Sequence, residues 1–420
     1  MFWLHLAIYN LFLSIYHKVA LLLYPFYAKA KKWINGRRES IGLLQNADKA
    51  AFSRKRIWIH CSSLGEFEQA RPLIELITAQ HPEIFIFLSF FSPSGYETVR
   101  DKKIADCVFL LPMDNPKNSI NVVQLIKPLV VLWSKYDFFY HYIVSIHKAK
   151  IPCVLFAARF YPEHIAFKPY GVIIRKTISQ YSGIFVQDET SRELLKSIGV
   201  ESIIAGDPRI DRVLKISSEP YHNAQISAFL EMNKGKKCVV AGSTWPPDDR
   251  LLAEVFKENK EFFIIVAPHL VDDTHVKKVI SIYTAKGFRV ALFSSLISEK
   301  QPCNVLIIDS IGQLSRLYRH GVFGYIGGGF GAGVHNVLEA AVYGIPIAFG
   351  PKHAKSIECL ELQQIGVAFS VKKTKDLQSL IHKVNESSFL LSTRERLSNY
   401  FTKRAGGAEK IYEHVKIFLN

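Results

Sequence analysis

The chain has 420 residues, of which 49% are hydrophobic and 21% charged, so it is a globular protein with room for two domains and not a disordered one. Its six cysteines are far apart and form no C-x-x-C pair, which argues against metal sites and redox pairs and favours reduced thiols in a cytosolic body. The net charge of +16 is concentrated, because residues 1–56 contain ten Lys/Arg and two Asp/Glu, half of the excess.

The N-terminal segment Phe2–Tyr27 is apolar and near the length needed to cross a bilayer, with His5, His17 and Lys18 as interruptions. It lacks the charged start and the cleavage site of a signal peptide, so we expect it to be retained. The basic residues that follow fit an anionic membrane better than nucleic acid and predict a cytoplasmic body. They are Lys29, Lys31, Lys32, Arg37 and Arg38. Residues 1–35 are therefore predicted to be a membrane anchor with a basic collar. The anchor either spans the bilayer or lies in its interface; the alternative is a helix buried by the first domain.

The rest of the chain alternates short apolar runs with helical patterns, which predicts parallel sheets covered on both faces. The predicted strands are Ile57–His60, Phe85–Ser89, Val108–Leu111, Leu129–Trp133, Val154–Ala157 and Gly183–Val186, then Lys237–Ala241, Phe262–Val266, Arg289–Phe293, Val305–Ile308, Phe323–Ile326 and Ile345–Phe349. The polar segment Ser217–Lys237 separates the two series. We therefore predict two doubly wound domains, residues 36–212 and 213–395. The stretch Leu391–Leu419 has a helical pattern, and residues 396–420 are assigned to a C-terminal helix.

The most informative segment is residues 323–353, FGYIGGGFGAGVHNVLEAAVYGIPIAFGPKH. A β-type run enters a loop with five glycines in seven residues, and a predicted helix, Asn336–Tyr343, follows. Glycines allow close approach of the backbone to a ligand, and a helix N-terminus attracts phosphate. Asn336 is a good N-cap, and Glu339 is suited to accept hydrogen bonds from ribose hydroxyls. The segment predicts a nucleotide site, with a purely steric turn as the alternative; it matches neither the dinucleotide fingerprint nor a P-loop.

The string GGG-x-G-x-G-x-HN-x-LE-AA-x-x-G-x-P-x-x-x-GP resembles the nucleotide-sugar site of GT-B glycosyltransferases. It is most similar to the Kdo transferases, which move 3-deoxy-D-manno-octulosonate (Kdo) from CMP-Kdo to a lipid A precursor. Residues Trp58–Glu66 resemble that family's W-x-H-x-x-S-x-GE motif, whose glutamate is the catalytic base, so the resemblance implies that role for Glu66. Ser63-x-x-Glu66 is also a capping-box pattern, and on the residues alone a helix cap is the simpler interpretation.

The resemblance, which runs from about residue 57 to 370, implies nucleotide binding by four loops. Their residues are Ser243 and Thr244; Pro268 and His269; Ile311, Gly312 and Gln313; and Asn336, Val337, Leu338 and Glu339. His269 stands where the family commonly has arginine, and Gln313 where it has glutamate. Lys135, Arg159 and His335 are possible substrate-binding residues; Lys135 lies in a loop that has lost most of the family's acidic residues.

The resemblance implies an α/β GT-B fold with two domains facing a cleft and with the C-terminal helix, residues 396–420, crossing back to the first domain. It also implies an inverting, metal-independent transfer of Kdo from CMP-Kdo to the lipid A precursor, without a cofactor, at the cytoplasmic face of the inner membrane. The fold is the same for enzymes that add one, two or more Kdo units. One alternative is a GT-B transferase that uses a different nucleotide sugar. The other, a basic membrane-bound nucleic-acid-binding protein, predicts Lys/Arg interleaved with aromatic residues through the body, whereas the charge is weighted to the anchor.

Overall fold

The computed structural model describes residues 2–135, 137–296 and 302–419. The chain divides into two compact units, the first of which consists of two separate stretches of sequence. The first unit comprises Met1–Arg212 and Arg404–Asn420, and the second comprises Val213–Lys403.

The first unit is built on a seven-stranded sheet in the order β3-β2-β1-β4-β5-β6-β7, in which neighbouring strands are parallel. Its strands are β1 Arg56–Cys61, β2 Phe85–Phe90, β3 Cys107–Leu110, β4 Val130–Ser134, β5 Cys153–Ala158, β6 Gly183–Val186 and β7 Ile203–Ile204. Its helices are α1 Phe2–Leu23, α2 Ala28–Ala50, α3 Leu64–Gln80, α4 Pro93–Val99, α5 Pro116–Ile126, α6 Tyr140–Lys148, α7 Val172–Ile178 and α8 Glu189–Lys196, and α9 Arg209–Ser218 leads out of it. Strand order reverses between β1 and β4, and ligands of such sheets bind beyond the carboxyl ends of the strands at that point.

The second unit has a second seven-stranded parallel sheet, in the order β10-β11-β9-β8-β12-β13-β14. Its strands are β8 Lys237–Thr244, β9 Phe262–Pro268, β10 Val290–Leu292, β11 Val305–Ile307, β12 Phe323–Ile326, β13 Ile347–Phe349 and β14 Ala368–Ser370. Its helices are α10 Ala224–Met232, α11 Pro246–Phe256, α12 Asp273–Thr284, α13 Leu314–Leu317, α14 Leu338–Ala341, α15 Ile357–Gln364, α16 Thr374–Val384 and α17 Ser387–Thr402; α18 Gly407–Val415 belongs to the first unit. The predicted α/β class with two doubly wound parallel sheets is confirmed.

The continuous apolar runs became fully buried strands, as expected for sheets covered on both faces. Every residue of β1, β2, β4 and β5 is buried. Two short edge strands, β7 and β14, were not predicted, since two or three residues carry no usable periodicity. All six cysteines are free and buried.

The C-terminal stretch is not one helix, and that prediction was wrong. α17 ends at Thr402, and α18 begins after Gly406, whose φ of 87° lies in the left-handed region that breaks a helix. The two carboxylate oxygens of Asp211 accept hydrogen bonds from the backbone N–H groups of Gly406 (2.6 Å) and Ala408 (2.7 Å). Asp211 therefore satisfies two N–H groups at the start of α18, in the way that capping residues do.

By its length and composition, α1 is long and apolar enough to cross a membrane. None of its residues is buried, so the interpretation of this segment as a core helix was wrong.

Candidate active site

Glu66 lies in the first turn of α3, directly after β1 at the point where the first sheet reverses its strand order. The hydroxyl of Ser63 accepts a long hydrogen bond from the Glu66 N–H (3.4 Å), as in a helix cap. The carboxylate does not return to Ser63, as it would in a capping box; it accepts from the backbone N–H of Ser62 at 2.5 Å. Glu66 thus helps to close the start of α3 while its carboxyl group stays at the carboxyl end of β1.

Burial raises the pKa of the Glu66 carboxyl to about 7, and the nearby Asp137 carboxylate adds to the rise. The Ser62 N–H, the Lys135 ammonium and the Ser63 hydroxyl act in the opposite direction. Burial also raises the pKa of Asp137, against the Ser62 hydroxyl and Lys135. A carboxyl group with a pKa near neutral pH is suited to take up a proton during a reaction.

A chain of hydrogen bonds explains the tryptophan and histidine of the W-x-H-x-x-S-x-GE pattern. The Trp58 indole N–H donates to Ser89 Oγ (2.8 Å), which lies 2.8 Å from His60 Nδ1, and His60 Nε2 lies 3.0 Å from Ser62 Oγ. Burial lowers the pKa of His60 to about 3, so the ring is neutral, and an indole can only donate. We therefore assign Ser89 as donor to Nδ1 and Nε2–H as donor to Ser62, which leaves the Ser62 hydroxyl proton for Asp137.

Five residues make up what we call the Glu66 cluster. They are Glu66, Asp137, Lys135, His60 and Ser62. Asp137 was not among the predicted site residues, although it is the acidic residue of the loop that follows β4 at the switch point. Lys135 has a φ of 57°, a conformation that is unusual for a side-chain-bearing residue and that clusters at functional sites. Against the effect of burial, Arg209 lowers the pKa of Asp207, and the Lys135 ammonium adds to this effect; it also opposes the rise in the pKa values of Glu66 and Asp137.

Arg159, the second possible substrate-binding residue of this unit, has an internal partner. Its Nε lies 2.8 Å from Oδ2 of Asp188, whose other carboxylate oxygen caps α8 by accepting from Ser191 N. The structure therefore joins Lys135 to the Glu66 cluster electrostatically, whereas the guanidinium of Arg159 is engaged by a helix cap.

In the second unit, the glycine-rich loop after β12 packs tightly against its neighbours. A Cβ on Gly327 would lie 2.3 Å from the Ser243 carbonyl oxygen, and one on Gly329 would lie 2.6 Å from Gly350 Cα. The loop N–H groups of Gly327 and Gly328 donate to the Gly242 carbonyl and to Asp248 Oδ2. These glycines are therefore required by contacts between loops, and a part of the N–H groups expected to meet a phosphate is already used within the protein.

The helix predicted at Asn336–Tyr343 is shorter than expected. α14 contains only Leu338–Ala341 and has Val337 at its N-cap position. Asn336 Oδ1 accepts from Leu338 N at 3.1 Å, and Asn336 Nδ2 donates to Glu339 Oε1 at 3.1 Å. Asn336 still closes the start of the turn, but a four-residue helix has a weak dipole, so the helix end contributes less to anion binding than predicted.

Three rings from three strand ends form a stack, which we call the ring stack. His269 lies face to face with His335 (centroids 4.4 Å apart, planes 20° apart) and with Trp245 (4.8 Å, 27°). Trp245 Nε1 lies 3.5 Å from His335 Nε2. Burial, with His269 beside it, lowers the pKa of His335 to about 4, and burial and His275 lower the pKa of His269. Both imidazoles are therefore neutral at pH 7. The structure brings His269 and His335 together; Trp245 was not predicted, although it directly follows the Gly-Ser-Thr loop.

The remaining predicted residues differ in what they expose. Side chains of Thr244, Pro268, Val337 and Leu338 are buried, so they have only backbone to offer a ligand. Ser243 is half-buried with a φ of 52° at an irregularity of β8, and Ile311 and Gly312 are exposed. Gln313 accepts from the Tyr221 hydroxyl at 2.9 Å. Within the described ranges, no group of three or more His, Cys, Asp or Glu side chains is arranged to hold a metal ion.

Two parallel α/β units, with polar clusters beyond the carboxyl ends of their strands, define a protein of the GT-B class. Solved structures with this fold include the UDP-GlcNAc 2-epimerase from Neisseria meningitidis bound to UDP-GlcNAc, with a TM-score of 0.60 and 15% identity over 86% of this chain and 99% of that one. The putative UDP-N-acetylglucosamine 2-epimerase from Listeria monocytogenes has a TM-score of 0.59 and 11% identity over 87% and 96%. At these identities the likeness concerns the fold alone.

Sequence comparison shows which family this chain resembles. The model of the 3-deoxy-D-manno-octulosonic-acid transferase (kdotransferase) family matches residues 35–212. The 3-deoxy-D-manno-octulosonic acid transferase of Aquifex aeolicus is 26% identical over 81% of this chain and 87% of its own length, and that of Rickettsia felis is 25% identical over 83% and 74%. The match over residues 35–212, together with these relatives, supports a glycosyltransferase of the GT-B type that acts as a Kdo transferase in lipopolysaccharide biosynthesis.

Proposed function

We propose that the protein transfers Kdo from CMP-Kdo to a hydroxyl of a lipid A precursor, with inversion at the anomeric carbon and with Glu66 as the general base. The match to the Kdo transferase family model and the Kdo transferase relatives support Kdo transfer; the donor, the acceptor, the stereochemical course and the base are the proposal. The observation that carries the assignment of the base is the buried Glu66 carboxyl, held at the switch point with a pKa of about 7.

In the proposed reaction, the acceptor hydroxyl oxygen forms a bond to the anomeric carbon of Kdo as Glu66 takes the hydroxyl proton. The bond from that carbon to the phosphate oxygen breaks on the opposite face, and CMP leaves with the bonding electrons. The Ser62 N–H orients the Glu66 carboxylate from 2.5 Å. The Lys135 ammonium favours the ionised state of Glu66 before the reaction, and Asp137 favours the protonated state that follows. The two opposing charges keep the pKa close to the working pH, where a general base is most effective.

The donor is assigned to the second unit, whose predicted residues lie at or after the carboxyl ends of β8, β9, β11 and β12. Glu339 is proposed to accept from ribose hydroxyls, and Ser243 and the exposed backbone at Ile311 and Gly312 to contact the nucleotide. Because the imidazoles of His269 and His335 are neutral at pH 7, we assign them to packing and hydrogen bonding and not to charge neutralisation. We propose that no divalent metal takes part and that the enzyme works at the cytoplasmic face of the inner membrane, where the lipid acceptor lies.

The test is a transfer assay in EDTA with CMP-Kdo and tetra-acylated lipid A precursor, comparing wild type with Glu66→Gln. Glutamine keeps an oxygen that can accept from Ser62 N but is not a base. We expect a loss of at least about 100-fold in kcat, with CMP binding unchanged. Glu75→Gln, on the same helix and paired with Arg71, is the matched control and keeps full activity.

Three results would contradict the proposed base, the proposed donor or metal independence. Undiminished transfer by Glu66→Gln would return Glu66 to a helix cap. No transfer by the wild type from CMP-Kdo, together with turnover of another nucleotide sugar, would keep the fold and reject the donor. Transfer that appears only when a divalent metal is restored would reject metal independence.

A further inference from the structure

α1 packs along its length, through one of its faces, against the rest of the first unit. The Tyr9 hydroxyl donates to Asp114 Oδ2 (2.5 Å), and Asn10 Oδ1 lies 2.7 Å from Nε2 of His141. Further along, the Tyr16 ring meets the Trp33 ring edge-on, with centroids 5.6 Å apart. The half-buried residues are Phe2, His5, Leu6, Tyr9, Asn10, Leu13, His17 and Ala20, and beyond the helix Tyr24. Their spacing of three and four residues defines a single helical face from one end of α1 to the other.

The opposite face is apolar and exposed. Its residues include Leu4, Ile8, Leu11, Ile15, Val19 and Leu22, which we call the apolar face, and Leu22 has 73% of its surface exposed. They also recur every three or four residues, so they form one continuous stripe over a 22-residue helix, about 33 Å long. Soluble surfaces rarely carry an apolar stripe of this extent unless something covers it.

The contacts made by the docked face restrict how the apolar face can be oriented in a bilayer. If α1 crossed the membrane, the flank of the first unit that it contacts would lie at the same depth. That flank carries Asp114 and His141, and Asn35, which accepts from the Tyr24 hydroxyl at 3.0 Å. Hydrocarbon around such groups is strongly unfavourable. In a helix that lies in the plane of the membrane, the same groups stay on the aqueous side.

Charge supports a lipid surface over a second copy of the chain. Lys18 lies on the exposed side of α1, and Lys29 and Lys31 are exposed just after its end. Two copies meeting through their apolar faces would bring these like charges together, whereas an anionic bilayer attracts them, and a lysine stem can extend along the apolar layer to place its ammonium among the headgroups.

We propose that α1 lies in the plane of an anionic bilayer, with its apolar face inserted and its other face docked on the first unit, and that it does not cross the membrane. This deepens the membrane location of the proposed function. It is independent of the sugar chemistry, because the experiments below contain neither donor nor acceptor.

The six native cysteines are buried, so single cysteines introduced as Leu4→Cys, Leu11→Cys or Leu22→Cys can be labelled selectively with an environment-sensitive nitrobenzoxadiazole maleimide. Each labelled full-length protein is added to sealed vesicles of phosphatidylcholine and phosphatidylglycerol. We expect a rise in emission at all three positions, similar shallow quenching by headgroup-region nitroxide lipids, and access of external dithionite to all three labels. A label at one end protected from dithionite, with Leu11→Cys deeper than both ends, would establish a crossing helix and overturn the proposal. No rise in emission at any position would overturn it as well.

Paired charge substitutions test the inserted face. Ile8→Glu with Ile15→Glu should lower partitioning onto these vesicles by at least about tenfold in a sedimentation assay. Leu391→Glu with Met232→Glu, at two exposed apolar residues outside α1, adds the same two charges, is the matched control and should bind like the wild type. Equal loss in both proteins would assign the effect to net charge and refute insertion of this face, and equal wild-type binding to pure phosphatidylcholine would refute the role of the anionic headgroups.

Discussion

The phenolic oxygen of Tyr9, in the first helix, lies 2.5 Å from Oδ2 of Asp114, a residue more than a hundred positions away. The same carboxylate accepts from the backbone N–H groups of His141 (3.2 Å) and Tyr142 (3.0 Å) in the first turn of α6. α6 begins three residues after Asp137 of the Glu66 cluster. α1 is therefore linked, through one carboxylate, to the helix that fixes the end of the loop carrying Lys135 and Asp137.

The Tyr9–Asp114 bond should contribute to stability. Tyr9→Phe leaves a buried carboxylate with one donor fewer, which should lower the free energy of unfolding by about 1–3 kcal/mol. Denaturant titration of the purified protein measures it. Tyr27→Phe, at a tyrosine that is 61% exposed, is the control and should change nothing. Equal stability of wild type and Tyr9→Phe would mean that the backbone donors alone satisfy Asp114.

The pH dependence of transfer should move in opposite directions when the two charges beside Glu66 are removed. The base must be ionised, so kcat/KM of the wild type should rise with pH through an apparent pKa of about 7. Lys135 lowers the pKa of Glu66 and Asp137 raises it. Lys135→Met should therefore shift the acid limb to higher pH and Asp137→Asn to lower pH, whatever either change does to the rate. Shifts in the same direction, or none, would show that the limb belongs to another group.

A buried carboxyl in the second unit should make stability depend on pH. Burial raises the pKa of Asp249 from 3.8 to about 7, with its neighbour Asp248 adding to the rise. Between these values the unfolded chain has released a proton that the folded protein retains, so the stability of the wild type falls as pH rises from about 4 to about 7. In Asp249→Asn, the decrease in the free energy of unfolding between pH 4 and pH 7 should be smaller than in the wild type by about 2–4 kcal/mol, as measured by denaturant unfolding at several pH values. Asp101→Asn, whose side chain is 83% exposed, should leave the profile unchanged, and a wild-type profile identical to that of Asp249→Asn would refute the assignment.

The ring stack offers a test of how the nucleotide phosphate is held. With His269 and His335 neutral at pH 7, their titration should leave the affinity for CMP constant between pH 7 and 8. His269→Arg, which restores the residue common in the family, adds a permanent cation and should tighten CMP binding by several-fold at low salt, with the gain shrinking as salt is added. Calorimetric titration measures both effects, with His382→Arg at an exposed site of α16 as control. A salt-independent gain, or none, would place His269 away from the phosphate.

The cap on α18 should hold the C-terminal segment to the first unit. Asp211→Ala leaves the Gly406 and Ala408 N–H groups without their acceptor, at a cost of about 1–2 kcal/mol, whereas Asp211→Asn keeps one oxygen in place. Limited proteolysis should release the C-terminal peptide faster from Asp211→Ala than from the wild type, with Asp211→Asn between them. Equal release from all three would show that apolar packing alone retains the segment.

Much of the fold could be predicted from the sequence because buried parallel strands appear there as continuous runs of apolar residues. Gly183–Val186 and Phe323–Ile326 were predicted with the bounds they have in the structure. Glu66 could be predicted as a site residue because it belongs to a motif. Asp137 and Trp245 belong to no motif, and their roles become visible only when the ends of separate strands lie side by side. The glycine-rich loop was recognised as special, yet which N–H groups it uses internally depends on acceptors such as Asp248, some eighty residues earlier.

The discontinuity of the first unit has a consequence during synthesis. Ile411, Val415 and Leu419 belong to the same apolar cluster as β1 and α3, so that core is completed only by residues that are synthesised after the whole second unit. The second unit is continuous in sequence and can close as soon as it has emerged. The nascent chain therefore carries an unfinished first unit, with α1 already outside the exit tunnel, while the second unit is being synthesised. Early capture of that helix by lipid would shelter the chain from aggregation until residues 404–419 have emerged.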